Sequence, residues 1–349
     1  MITTSEGLAA ILPQLEGIDR VAIDTEADSL HCYFEKLCLV QMSFNGSDHL
    51  IDPLAGFDLT PLATALAGKE IVLQGADFDL RLLRRSFGFN ADRIFDTVIA
   101  SRLLGIKAFS LAALVERYFG VTLVKGSQKA NWAQRPLPKA MADYAVNDTH
   151  YLLPLADYLE EELRAKGRYE WFQQSCQRAL AQASIERTRD DEEAWRITGA
   201  GTLPPRAGAI LRALWRWRDQ EAQAVDRPSF HILQNHLLLQ AAQAFDAGET
   251  PDFRHLTPRR RRAFLDAAHA ALQLPESEWP KRLRRVGTRT TQEMERTADN
   301  LRKRRDAVAQ ELGIDPSFIA PRATMESIAA DATRSDTMLV PWQRELLQV

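Results

Sequence analysis

The stretch VAIDTEADSL, residues 21–30, starts as an apolar strand and then sets two carboxylates, Asp24 and Glu26, one residue apart. Alternate side chains of a strand share a face, so Asp24 and Glu26 lie side by side while Thr25 points the other way. Two anions that close either raise a pKa or recruit a cation; a polar strand end in water is the competing account. Working outward, KLCLVQMSF (36–44) and HLIDP (49–53) read as short strands near enough to RVAIDTEA for hairpin or meander connections. EIVLQG (70–75) reads as a later buried strand. Helical patterns interleave from there. DLTPLATALAG (58–68) ends at a glycine, DFDLRLLRRSFG (77–88) spaces Leu80, Leu83 and Phe87 at i, i+3, i+7, and SLAALVERYFG (110–120) runs from Ser110 to Gly120. A meander followed by βα units predicts an α/β fold, a mixed sheet covered by helices.

The chain of 349 residues is long enough for two or three domains, and 45% hydrophobic with 26% charged residues is ordinary globular composition. A helix is predicted from about residue 139 to 166, and no strand after it. TGAGTLPPRAG (198–208) reads as a linker, and the chain beyond it is helical, in two successive sets. Residues 1–175 carry a net charge of −6 and the remainder +3, which suggests different tasks for the two parts. Cys32, Cys38 and Cys176 fit neither a zinc pattern nor an even disulfide framework, and the histidines lack HExxH spacing, so any metal should have oxygen ligands. A reducing compartment, a soluble cytoplasmic protein and no membrane partner are expected.

If Asp24 and Glu26 hold a cation, further oxygen ligands must converge on them. In LQGADFDLRLL (73–83), Asp77 and Asp79 open a helix; Asp77 is equally a helix cap, and Asp79 is the better ligand candidate. In DYAVNDTHYLL (143–153), Tyr144 and Asp148 are four apart and share one helix face, with Asp143 turned towards solvent.

DTE, GADFD and YAVND, in this order and approximate spacing, resemble the three motifs of the DEDDy 3′–5′ exonucleases, and ANWAQRPLPKAMADYAVNDTHYLL (130–153) looks most like the ribonuclease D branch. RALWRWRDQEAQAVDRPSFHILQNHLL (212–238) resembles an HRDC domain, and LRKRRDAVAQELGIDPSFIAPRATMESIA (301–329) a second, degenerate copy. The resemblance implies an RNase H-like five-stranded mixed sheet with flanking helices over residues 1–175, an all-α helical-bundle HRDC domain over 203–280, and a second HRDC-like domain over 290–349. It implies two divalent ions, Mg²⁺ or Mn²⁺, which together stabilise the attacking and leaving oxygens of an in-line displacement. On that pattern Asp24 bridges the ions, Glu26 and Asp148 complete the site of the one carrying the nucleophile, Asp79 holds the other partly through water, and Tyr144 orients the attacking water. A phenol of pKa near 10 suits a hydrogen-bonding role better than that of a base. The products would be 5′-mononucleotides from a free RNA 3′ end, with tRNA precursors the substrates the family suggests.

Thr25, beside the acids, and the loop KGSQKANWAQRP (125–136), which joins Lys125, Lys129 and Arg135 to Trp132, are the candidate substrate contacts. Cations for phosphates and a ring for stacking are what single strands require; a loop anchored by a buried tryptophan is the equal alternative. TPRRRR (257–262) crowds arginines at a helix N-terminus, where the macrodipole disfavours cations by about 0.3–1 kcal/mol each. RNA phosphates, acidic neighbours on the nuclease domain and plain solvation are the three accounts of that run. A 3′–5′ exonuclease acting on DNA, including single-stranded DNA, and a non-catalytic nucleic-acid scaffold are the alternatives to an exoribonuclease.

Overall fold

Val21, Ala22 and Ile23 are fully buried on both faces of their strand, which places it inside a sheet and not at an edge. This computed structural model describes residues 1–124, 126–186, 190–281 and 291–349. β1 (Arg20–Ala27) pairs antiparallel with β2 (Leu37–Phe44), and β2 with β3 (Ser47–Ile51), as the closely spaced apolar runs predict. On its other side β1 runs parallel to β4 (Glu70–Leu73), which is parallel to β5 (Arg93–Asp96). The five-stranded mixed sheet, ordered β3-β2-β1-β4-β5, is the fold class expected. Its fifth strand, RIFD, is too short to show a periodicity in the sequence.

The first seven α-helices among the described residues are α1 (Ser5–Ile11), α2 (Thr60–Leu66), α3 (Asp77–Phe87), α4 (Thr97–Leu103), α5 (Leu111–Phe119), α6 (Lys139–His150) and α7 (Leu152–Ala165). They include the three predicted to end at Gly68, Gly88 and Gly120, which are α2, α3 and α5. Ser110 caps α5 by accepting from the Ala113 N–H, and Gly120 ends it in the left-handed conformation. The single helix predicted over 139–166 is two helices that meet at Tyr151. Pro154 has no N–H for the His150 carbonyl four residues back, and its ring crowds that carbonyl.

The described residues divide into two compact units. Unit one holds 1–27, 37–186 and 291–349, and so includes α8 (Tyr169–Ser184). Unit two holds 28–36 and 190–281. It contains α9 (Pro205–Ala224), α10 (Ser229–Ile232), α11 (Asn235–Asp246) and α12 (Pro258–Leu272). Its core gathers Leu211, Leu214, Leu238, Phe245 and Phe264 around Trp215 and Trp217, which are buried packing residues. Residues 28–36 are fastened to α9 and its end: the Tyr33 hydroxyl donates to Asp219 (2.9 Å), and the Tyr33 and Phe34 N–H groups donate to Asp226 (2.9 and 3.0 Å). Buried Glu221 on α9 accepts from Arg259 (2.6 Å) and Arg260 (3.0 Å), which explains half of the arginine run within the helical unit itself.

The last segment carries α13 (Gln292–Leu312), α14 (Pro316–Ile319), α15 (Arg322–Ala330), α16 (Ser335–Met338) and α17 (Pro341–Leu347). Expected as a domain of its own over 290–349, it instead shares the core of unit one: Leu301, Ile314, Ile319, Met325 and Trp342 join the cluster that contains the sheet. Trp342 stacks on Trp171 of α8 at 5.2 Å and donates its Nε1–H to the Ser175 Oγ (3.0 Å). Arg168, 8% exposed, donates to the carbonyls of Leu103 (2.6 Å) and Leu312 (2.8 Å), near the C-terminal ends of α4 and α13. Helix ends present carbonyls with no partner of their own and partial negative charge, so one buried cation satisfies both. Helical amphipathicity alone cannot reveal whether an apolar stripe faces a sister helix or a sheet.

Candidate active site

Open sheets with parallel strands bind ligands beyond the carboxyl ends of those strands, where the connections diverge. β1 is that point here, with the antiparallel meander on one side and β4–β5 on the other. Asp24 and Glu26 occupy its last turn of pleat, and the register with β2 shifts between Glu26 and Ala27. Such a bulge re-aims the side chains beside it. α6 packs across β1, β2 and β3 and brings in Asp148. One oxygen each from Asp24, Glu26 and Asp148 lies within 4.8 Å of the others, and all three residues are half-buried.

Asp79 reaches the neighbourhood from the first turn of α3 and is nearly buried. Its Oδ1 accepts from the Thr25 backbone N–H (3.1 Å) and from the Thr25 Oγ1 (2.5 Å), which keeps it outside the tight group of three. Thr25, 6% exposed, is therefore a support for Asp79 and offers no surface to a substrate. The exposed Asp77 is held by Arg81 (3.0 Å), and Asp143 by Lys139 (2.7 Å), both at helical i, i+4 spacing. Tyr144 sits one turn before Asp148, with its ring 6.2 Å from that of Trp132.

Burial and mutual repulsion raise these acids above the ordinary carboxylate range. Burial, then Asp79, Asp148 and Glu26, raise Asp24 well above the carboxylate range. Burial, then Asp148 and Asp79, push Glu26 up to about 9. Burial and Asp79 push Asp148 up to about 7. Asp79 rises to about 6 because burial outweighs its bonds from Thr25. Burial and the same carboxylates raise the Tyr144 phenol, so it is protonated at neutral pH and able to donate.

This set fits a hard divalent cation. Octahedral Mg²⁺ with oxygens at about 2.0–2.1 Å places them about 2.9–4.2 Å apart, so a slight inward movement of the three carboxylates suffices. Among the described residues no Lys or Arg pairs with any of them. Positive charge is the missing element of the electrostatics, and an all-oxygen donor set selects for Mg²⁺, Mn²⁺ or Ca²⁺ over softer metals.

The candidate substrate loop takes the second of its two readings, a loop anchored by a buried tryptophan. Trp132 is 1% exposed, packed with Leu39, Leu50, Met141 and Ala145, so its ring cannot stack on a base. Arg135 spends its donors internally, on Asp52 (2.6 Å to each oxygen) and on the carbonyls of Cys38, Trp132 and Gln134 (2.7–2.8 Å). Lys129 is exposed, and Lys125 lies outside the described residues. Sequence reasoning missed Asp96. Buried at the end of β5, it accepts from the N–H groups of Gly75 (3.2 Å) and Ala76 (2.9 Å) in the turn that delivers Asp79, while capping α4 through Val98 (2.8 Å). The signal was present: an aspartate directly before a helical run is the standard cap.

The comparisons with known proteins bear on this geometry. A family model described as a 3′–5′ exonuclease matches residues 1–164, and a model of the HRDC domain matches residues 207–247. Ribonuclease D of Zymomonas mobilis is 37% identical over 251 residues, which is 69% of this chain and 63% of that protein. Over these regions the chain is similar to ribonuclease D. Its alignment spans somewhat under two thirds of that relative's length. A solved structure of a Bifidobacterium adolescentis protein superposes with a TM-score of 0.83 at 26% identity, covering 99% of this chain and 94% of the other. That of Escherichia coli RNase D does so with 0.73 at 24% identity, covering 100% and 98%, and attests the fold. The ribonuclease D pattern thus accounts for the sheet and for α9–α11, whereas α12 lies beyond the HRDC match. Among the described residues no helix is long and apolar enough to cross a membrane.

Proposed function

We propose that the protein is a divalent-metal-dependent 3′–5′ exoribonuclease that releases 5′-mononucleotides from RNA 3′ ends, with tRNA precursors among its substrates. The observation that carries this is the convergence of Asp24, Glu26 and Asp148 within 4.8 Å, with Asp79 beside them, in a chain similar to ribonuclease D.

Two divalent ions, when bound, would stabilise the attacking and leaving oxygens and acidify a water for attack. Asp24, Glu26 and Asp148 would hold them from one side and Asp79 from the other, with Mg²⁺ or Mn²⁺ as the ions. Thr25 fixes the Asp79 carboxylate, and Asp96 fixes the turn before it. The Tyr144 hydroxyl orients the attacking water by hydrogen bonding, since its raised pKa bars it from acting as a base. Of the described loop candidates, Trp132 and Arg135 are engaged within the fold and Lys129 is exposed. A scaffold reading is disfavoured, because clustered carboxylates repel phosphate unless cations are bound.

The test is time-resolved digestion of one end-labelled RNA and of its DNA counterpart, with and without Mg²⁺, and with a blocked 3′ end. A ladder that starts at the RNA 3′ end, needs Mg²⁺ and disappears on blocking is expected. Equal digestion of the DNA would assign the DNA exonuclease instead, and no digestion of either would leave a binding role.

A further inference from the structure

The face of β1 that carries Asp24 and Glu26 continues onto β2. Asp24 and Gln41 are partners in the antiparallel register, and opposed side chains on one face have Cβ atoms about 4.5–5.5 Å apart. Gln41 is 0% exposed, and among the described residues neither its Oε1 nor its Nε2 has a hydrogen-bond partner. The next polar residue on that face, Ser43, is satisfied by Asp48 and Thr149 at 2.6 Å each. A buried primary amide without partners is costly, and an apolar side chain of the same length would fill the space without that cost. Packing alone therefore does not account for glutamine here. Asp79 has a side-chain donor in Thr25, whereas among the described residues no side chain donates to Asp24.

We propose that Gln41 is a positioning residue for Asp24: in the cation-loaded site its amide N–H donates to the Asp24 carboxylate and holds the rotamer that faces Glu26 and Asp148. This rests on the metal-dependent reading above. The terminal torsion of an aspartate is broad and two-fold, so a carboxylate pulled by cations needs an outer partner to fix it. Gln41 cannot touch the substrate, being sealed from solvent, so it acts through Asp24.

The experiment compares the full chain with its Gln41→Met variant by thermal melting, by Mn²⁺ titration calorimetry without substrate, and by kinetics on a labelled oligoribonucleotide. Removing an outer-shell partner commonly lowers metal affinity or activity about 10–100-fold. We expect a melting temperature at or above wild type, Mn²⁺ affinity about tenfold weaker, kcat lower by about 10–100-fold and KM within about twofold. Wild-type Mn²⁺ affinity and turnover in the variant would overturn the proposal. If the variant does not fold, a crystal structure of the wild type with Ca²⁺ decides. A Gln41 amide nitrogen within about 3.2 Å of Asp24 supports it, and a separation beyond about 3.5 Å rejects it. Wild-type protein that neither binds Mn²⁺ nor shortens RNA refutes the metal-dependent reading, and the proposal falls with it.

Discussion

Thr25 gives both its backbone N–H and its hydroxyl to a single oxygen of Asp79, at 3.1 and 2.5 Å. The residue between the two acids of β1 thereby fixes a third acid delivered from α3, fifty-four positions away. One strand thus serves the site from both faces. Asp24 and Glu26 line one, and the intervening threonine secures Asp79 from the other.

Replacing Thr25 by Val keeps the shape and removes the hydroxyl. A hydrogen bond to a charged group is worth about 1.5–3 kcal/mol, and the backbone N–H remains. We expect kcat on a labelled oligoribonucleotide to fall about 10–100-fold, with a small change in melting temperature. Turnover within twofold of wild type would show that the backbone bond alone positions Asp79.

The clustered acids also dictate a pH dependence of stability. Glu26 at about 9, Asp148 at about 7 and Asp79 at about 6 all lie above their ordinary values, so the folded chain binds more protons than the unfolded one. Stability contributed by these groups is present at low pH and declines as pH rises from about 4 towards 9. A divalent cation removes the repulsion that causes the decline. Melting in EDTA should therefore worsen between pH 5.5 and 8.5, and the gain on adding Mg²⁺ should be larger at pH 8.5. An equal gain at both pH values would argue against metal binding by these acids.

Much of this was legible in the sequence because it is local. Alternation places Asp24 with Glu26, helical spacing places Tyr144 with Asp148, and the glycine that opens GADFD marks the turn into α3. The apolar runs likewise give four strands. What could not be read depends on where distant segments land. Nothing in KGSQKANWAQRP says that Trp132 is covered by β2 and α6, or that Arg135 meets Asp52 across 83 positions. A tryptophan and an arginine in a polar loop look the same whether they bind RNA or anchor the loop. The helices after residue 290 pose the same problem, since their stripes could face one another or the sheet-containing core of unit one.

Arg135 is accordingly expected to be structural. Asp52 is 4% exposed, and both of its oxygens accept from the guanidinium. Breaking a pair whose other member stays buried costs about 3–5 kcal/mol, less here because Arg135 keeps some solvent contact. Arg135→Ala should lower stability by about 2–3 kcal/mol in urea unfolding, and leave KM for RNA unchanged at a temperature where the variant is folded. A raised KM without loss of stability would restore Arg135 to the substrate contacts.

The seating of the C-terminal helices rests on a close backbone approach that two glycine substitutions can separate from backbone strain. Gly105, after α4, has φ +78°, and a Cβ there would lie 2.1 Å from the carbonyl oxygen of Gly313, which follows α13. Gly313 has φ +65° but open space around its own Cβ position. Alanine at Gly313 therefore incurs the left-handed penalty alone, about 1–2 kcal/mol. Alanine at Gly105 incurs that and must also push backbone away from backbone, which forces α13 off the end of α4 or shifts the turn, for about 1–3 kcal/mol more. Displacement would also strain the bonds by which Arg168 joins the Leu103 and Leu312 carbonyls. We expect Gly105→Ala to lose more stability than Gly313→Ala, and to expose the arginines of α13 to trypsin under native conditions. Equal destabilisation and equal resistance to trypsin would show that the contact between the two glycines does not hold the C-terminal helices in place.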